Sequence, residues 1–226
     1  MDNLARRIRP EVGYTYSDYL TWDNQPRCEL IEGIPRAMAS PSQAHQEIVG
    51  EIFNQLYNFL KGKPCKAFVA PFDVRLNAES FDDTVVVPDI LVVCDRSKLN
   101  GRSVTGAPDL IIEILSPFYI RHDTVKKYRL YQKAGVKEYW IVDPVTKTVQ
   151  THILENGKYI GRTYGDDDTV PVHTLDGCKI NLMDVFYDTV EVESDDGLIT
   201  KQNMIEALKK NNISDTQIEK IMNSIE

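Results

Sequence analysis

Apolar side chains return every four residues at Ile48, Ile52, Leu56 and Leu60, with Ser42 ahead of them and Gly62 behind. This spacing predicts a long helix capped at Ser42 and stopped at Gly62. Upstream, YSDYLT (16–21) predicts a short helical turn, and CELIEGIPRAMA (28–39) alternates as a strand with a Gly and Pro interruption. Downstream, CKAFVAPFDVRL, VVVPDILVVC and PDLIIEILSP are apolar or alternating runs separated by polar, Gly-containing or Pro-containing connections, and predict strands. From Asp123 to Ala134 the pattern turns helical and ends at Gly135, after which KEYWIVD, TVQTHIL and KYIGRTY predict further strands. The order helix, strand, helix, strands, helix, strands implies an α/β domain around a mixed sheet flanked by helices. The continuous apolar runs near 85–94 and 110–115 suit strands covered on both faces.

The pattern breaks after residue 186. Residues 187–197 are acidic and poor in apolar side chains, which predicts a linker, and residues 198–226 predict a pair of short helices. There Thr200 and Ser214 stand as N-caps, each flanked by apolar residues at the hydrophobic-staple positions, and Ile218, Ile221, Met222 and Ile225 line one face. A body of residues 1–186, a linker and a helical hairpin tail are the expected units.

Charge changes the picture less than its total suggests. The net charge of −8 speaks against a nucleic-acid partner, yet residues 187–226 hold 9 acidic and 4 basic groups, leaving 25 and 22 for residues 1–186. The body is therefore near neutral. No stretch approaches the roughly 20 apolar residues of a spanning helix, and the amino end lacks the apolar segment of a signal peptide. Cys28, Cys65, Cys94 and Cys178 stand far apart without a C-x-x-C pair, so separate reduced thiols and a cytoplasmic location are expected.

Two carboxylates stand out against this background. Glu113 interrupts LIIEILSP and Asp89 interrupts VVVPDILVVC, both runs that otherwise read as buried. An unpaired carboxylate taken out of water costs several kcal/mol, roughly. If the two strands are neighbours, both acids converge on a hard divalent cation whose charge offsets that cost. Asp109, also in a Pro-Asp pair, points to the same strand face as Glu113, but four residues at a rise near 3.3 Å put it about 13 Å away. It suits a strand-entry role instead. No nucleophile elbow, P-loop, dinucleotide fingerprint or H-E-x-x-H motif is present.

The ordered segments CELIEG, SPSQAHQEIVGEI, VVPDILVV, GAPDLIIEILSP, DTVKKYRLYQKAGVKEYWIVDP and KINLMDVF resemble the restriction-endonuclease-like superfamily with its PD-(D/E)xK motif. Within it they are similar to a bacterial family, the Uma-two-type restriction endonucleases, across roughly residues 14–186. The resemblance implies a restriction-endonuclease-like fold, with Asp89 and Glu113 as the metal-binding acids. It departs from the superfamily pattern at Leu115, where the in-strand lysine should stand. In the closer family the lysine comes from the following helix, which makes Lys127 the match and Lys126 the adjacent alternative, roughly 100° away on a helix. Glu29 and His45 belong to the family pattern too. Read from the residues alone, Glu29 is either a further ligand or supporting carboxylate, or a partly exposed strand residue. His45 is either a site residue or an ordinary polar residue in the first turn of a helix. Tyr128, Tyr131, Tyr139 and Trp140 suit the core better than a base-stacking surface.

The activity so implied is a Mg²⁺-dependent endonuclease, with Mn²⁺ as a substitute, acting on nucleic acid, foremost DNA; no membrane partner is expected, and a homodimer, the commonest soluble assembly, is expected with the tail serving it. The rival is a nuclease-fold module that binds nucleic acid or a protein partner without cutting, with the tail helices offering Met204, Leu208, Ile221 and Met222 to a groove. Acids that are costly to bury favour the enzyme. If the tail is an appendage, a chain ending after Asp188 keeps its cooperative melt and its Mn²⁺ binding, with changes confined to oligomeric state. Loss of soluble protein on that truncation, followed by size-exclusion chromatography and calorimetry, would show that the tail covers the core.

Overall fold

The computed structural model describes residues 13–22, 27–38, 40–116 and 122–189; the expected linker beyond 189 and the helical tail lie outside them, and with them the segment proposed to dimerise. The chain runs α1 (Tyr16–Tyr19), β1 (Cys28–Ile31), β2 (Ile34–Ala37), α2 (Gln43–Leu60), β3 (Lys66–Val69), β4 (Asp73–Arg75), β5 (Val85–Val86) and β6 (Ile90–Val93). It continues through β7 (Ser103–Thr105), β8 (Leu110–Ile114), α3 (His122–Ala134), β9 (Glu138–Asp143), β10 (Thr148–Glu155), β11 (Lys158–Tyr164), β12 (Thr169–Pro171), β13 (Lys179–Asn181) and α4 (Leu182–Val185). A six-stranded sheet has the order β11-β10-β9-β8-β6-β3, and a five-stranded sheet the order β2-β1-β5-β4-β7. In the larger sheet β8 and β9 are parallel, joined by α3 as a crossover, and the other pairs are antiparallel. The architecture is the mixed α/β one expected from the sequence.

Strand alternation divides the large sheet into two apolar faces. Ile90, Val92, Leu110, Ile112, Ile114, Trp140 and Val142 pack toward Ile48, Ile52, Leu56 and Leu60 of α2. Their odd-numbered neighbours Leu91, Val93, Ile111, Tyr139 and Ile141 pack with Val74, Val86 and Val104 of the smaller sheet and with Tyr131 on α3. Burial on both sides explains why these strands are apolar throughout. Tyr131, Tyr139 and Trp140 are core residues, as their type suggested. Helix α2 begins where expected: the Ser42 hydroxyl accepts from the His45 amide, 3.2 Å, and Gly62 follows its end with φ +76°.

The β1–β2 hairpin turns through Glu32 and Gly33 alone, at φ 51° and 79°. A two-residue turn with both residues at positive φ matches the right-handed twist of its strands. Gly33 has a second reason to be glycine, since a Cβ there would lie 2.8 Å from the Gly13 Cα.

Two expectations are corrected. VVVPDILVVC is not one strand: β5 ends at Val86 and β6 begins at Ile90, because Pro88 has no amide to give to a ladder. Asp89 therefore stands at the edge of β6, where the chain passes from the small sheet to the large one, rather than mid-strand. The four cysteines are also not all separate thiols. The antiparallel register Lys66↔Val93 sets Cys65 opposite Cys94, and their sulfur atoms are bonded, leaving Cys28 and Cys178 free. A separation of 29 residues hid that pairing, which exists only through strand register. Among the described residues no helix is long and apolar enough to cross a membrane.

Glu138, fully buried at the start of β9, accepts from the Trp140 indole, 2.8 Å, the amides of His173 and Thr174, 3.1 and 2.7 Å, and the Thr174 hydroxyl, 2.9 Å. It ties β9 to the segment between β12 and β13. Glu138→Ala strands four donors and is expected to lower unfolding stability by about 3 kcal/mol in urea titration, with no effect on Mn²⁺ affinity.

Candidate active site

Asp89, Glu113, Lys127, Glu29 and His45 all line one pocket of about 280 Å³. Continuing the β6–β8 register one step past Ile90↔Ile112 sets Asp89 opposite Glu113. The Asp89 carboxylate is fixed there by the Ile114 amide, which donates to Oδ2 at 2.8 Å, and by His45 Nε2 at 3.1 Å from the same oxygen. His45 reaches it from the first turn of α2, which meets the chain just ahead of the start of β6. Its Nδ1 is buried and has no hydrogen-bond partner among the described residues.

Glu113 sits on the α3 face of β8, in line with Ile111. Its Oε1 accepts from Lys127 Nζ at 3.0 Å and from the Tyr131 hydroxyl at 2.6 Å. Lys127 and Tyr131 are four residues apart on α3, so they share one helix face, and that face meets Glu113. This contact identifies Lys127, of the two candidate lysines, as the one that reaches Glu113. Leu115, where the superfamily pattern has its lysine, packs into the apolar cluster on this side of the sheet. Tyr131 was placed in the core by residue type and its contact with the acid was missed, although its position one turn beyond Lys127 was a usable signal.

Lys127 Nζ also contacts Glu29 Oε1 at 3.0 Å, and the same oxygen accepts from the Val87 amide at 2.9 Å. Of the two readings of Glu29, a partly exposed position is excluded, since the residue is 3% exposed. Asp109 is elsewhere, bonded to the Cys94 amide at 2.7 Å and to Lys137 Nζ at 2.7 Å, which suits a strand-entry role.

Three carboxylates thus face one lysine. Burial pushes the Glu113 carboxyl up to about 7; Lys127 opposes the rise, and the charges of Asp89 and Glu29 add to it. Burial and the neighbouring carboxylates likewise push the Tyr131 hydroxyl well above its ordinary value, so it stays a donor.

A divalent cation fits this donor set. Asp89 and Glu113 supply hard oxygens from adjoining strands in one pocket, and the contacts named above end on one oxygen of each. Among the described residues no three His, Cys, Asp or Glu side chains converge as a ready cluster. A cation would therefore be held by two carboxylates plus main-chain oxygen and water, the habit of Mg²⁺ rather than of zinc.

A group whose folded pKa is raised contributes stability below its unfolded value, and that contribution is lost as pH rises through the folded one. In EDTA, the part of the melting temperature due to Glu113 is expected to fall between about pH 5 and pH 7. Glu113→Gln removes that fall, so its advantage over the unsubstituted protein grows with pH in thermal melts. An advantage independent of pH would contradict the assignment.

Comparison with known proteins agrees with this fold. A solved structure described as "a putative nuclease belonging to DUF820" from Anabaena variabilis ATCC 29413 superposes with a TM-score of 0.63 at 24% identity, covering 76% of this chain and 97% of that one. An uncharacterised protein of Synechocystis sp. (strain ATCC 27184 / PCC 6803 / Kazusa) is 23% identical over 163 residues, 70% of this chain and 84% of that protein. The profile of the family described as "Uma2: Putative restriction endonuclease" matches residues 16–183, a span that holds every pocket residue discussed above. This chain belongs to the Uma2 family.

Proposed function

We propose that this protein is an endonuclease that hydrolyses phosphodiester bonds, with DNA as substrate and Mg²⁺ or Mn²⁺ held by Asp89 and Glu113. The observation that carries the reading is Lys127 Nζ, 3.0 Å from Glu113, in the pocket that also contains Asp89. A metal-binding acid pair beside a partly buried ammonium is the equipment that phosphoryl chemistry needs, since charge accumulates on the phosphate oxygens as the bond breaks. A bound divalent cation would supply neutralisation of the leaving oxygen and a lower pKa for the attacking water.

The chain's own residues have separate tasks in this reading. Asp89 and Glu113 hold the cation. Lys127 presents its ammonium to the phosphate, and Glu29 restrains it by accepting one of its three donors. His45 and the Ile114 amide orient Asp89, while Tyr131 orients Glu113. These contacts fix rotamers before substrate arrives, which is where much of the catalytic advantage of such sites originates.

The test is incubation of the purified protein with supercoiled plasmid and with single-stranded DNA in Mg²⁺, Mn²⁺ or EDTA. Metal-dependent cleavage is expected, with Lys127→Ala slowing it by about 10²–10³-fold while Mn²⁺ binding persists. Lys126→Ala is expected to weaken only substrate affinity, in a salt-dependent way. Asp89→Asn and Glu113→Gln should each weaken Mn²⁺ binding in calorimetry; unchanged affinity in both would end the shared-site reading. DNA binding without cleavage under every metal condition would favour the binding module.

A further inference from the structure

The acidic floor of this pocket creates an electrostatic difficulty for its proposed substrate, and the β1–β2 hairpin carries the answer. Three carboxylates repel a phosphodiester, and Lys127 is already engaged with two of them. Even with a divalent cation at Asp89 and Glu113, the three acids and Lys127 would come only to neutrality, so attraction for a polyanion has to come from further cations facing the substrate. Alternation along β1 puts residue 27 on the same face as Glu29, two residues apart. Cross-strand register puts Arg36 directly opposite Glu29, and the Met38 amide bonds to the Arg27 carbonyl at 2.8 Å, which extends the pairing to Arg27 itself. Arg27 and Arg36 consequently share the hairpin face that carries Glu29, and both line the same pocket as the acids and the lysine.

We infer that Arg27 and Arg36 form a phosphate clamp on the wall of this site, which holds the nucleic-acid backbone while its scissile phosphate rests at Asp89, Glu113 and Lys127. The inference rests on the nuclease reading above and adds to it the residues that position the substrate. Arginine suits the task because its planar fork meets two phosphate oxygens at once and stays charged at any working pH. The two side chains differ in depth: Arg36 is partly buried in the wall and Arg27 is exposed at the rim. Arg36 accordingly takes the phosphate nearest the acids, and Arg27 takes a phosphate further out along the strand. The clamp also explains how a protein with net charge −8 engages a polyanion, because the cations needed are concentrated at the pocket rather than spread over the surface. The short turn through Glu32 and Gly33 and the anchoring of Glu29 by Val87 and Lys127 hold the hairpin wall in register with the floor.

The experiment is fluorescence anisotropy of a labelled 20-base-pair DNA duplex and of its single strand, with Ca²⁺ replacing Mg²⁺ to suppress cleavage, across a range of salt concentrations. Arg36→Gln and Arg27→Gln are each expected to weaken binding about tenfold and to reduce the slope of log affinity against log salt by about 0.9 for the duplex. Arg36→Lys should restore the slope but only part of the affinity, since it keeps the charge and loses the fork. Mn²⁺ affinity measured by calorimetry should be unchanged or tighter in both Gln variants. Unchanged affinity and slope, with normal binding by the unsubstituted protein, would overturn the clamp and leave the nuclease reading standing. Weaker Mn²⁺ binding in the variants would overturn it in favour of arginines that shape the acid site. Failure of the unsubstituted protein to bind either DNA, or RNA of the same sequence, would overturn the clamp together with the nuclease reading.

Discussion

One partly buried ammonium holds the site together. Lys127 Nζ lies 3.0 Å from carboxylates of two different sheets, Glu29 on β1 and Glu113 on β8, and it is delivered by a third element, α3. Each partner would be costly to bury alone, and each makes the others tolerable. The contact therefore links three segments that are remote in sequence, and it sets the distance between the hairpin wall and the sheet floor. Removing the lysine leaves the Glu29 and Glu113 carboxylates without their shared cation at the junction of both sheets.

The apolar core makes that arrangement possible by leaving no alternative position for it. The even-numbered side chains of β6, β8 and β9 pack on α2, and the odd-numbered ones pack on α3 and the smaller sheet. Glu113, being odd, is forced onto the α3 side, while Asp89, just ahead of β6, meets it in the same pocket. Two acids brought together by strand geometry, with a third from the hairpin and one lysine among them, remain electrostatically unsatisfied. Burial raises the pKa of Glu113, with Lys127 opposing the rise and the charges of Asp89 and Glu29 adding to it, and a divalent cation held there would offset that cost.

Buried acids elsewhere in the protein show that burial alone does not mark a functional group. Glu138 is more deeply buried than Glu113, yet its oxygens are taken by an indole, two amides and a hydroxyl. Asp109 is tied to an amide and to Lys137. Both are structural ties away from the pocket. Glu113 differs because it faces a cavity, and the lysine it pairs with there is shared with a second carboxylate, Glu29.

Much of this was legible in the primary structure, because periodicity reports directly on burial. The four-residue repeat from Ile48 to Leu60 marked α2, the uninterrupted apolar runs marked the doubly covered strands, and an acid inside such a run could only be a paired or functional group. Glycines at 62 and 135 marked helix ends through the positive φ they adopt. The sequence could not reveal relations between segments. The break at Pro88, the bond between Cys65 and Cys94, the preference for Lys127 over Lys126 at Glu113 and the engagement of Tyr131 each depend on strand register or on the rotation of a helix against a sheet. The same holds for Arg36, unremarkable in the sequence until the hairpin places it opposite Glu29. Local pattern determines which face of each element is buried. Only tertiary packing decides which buried faces meet, because that depends on interactions between residues tens of positions apart.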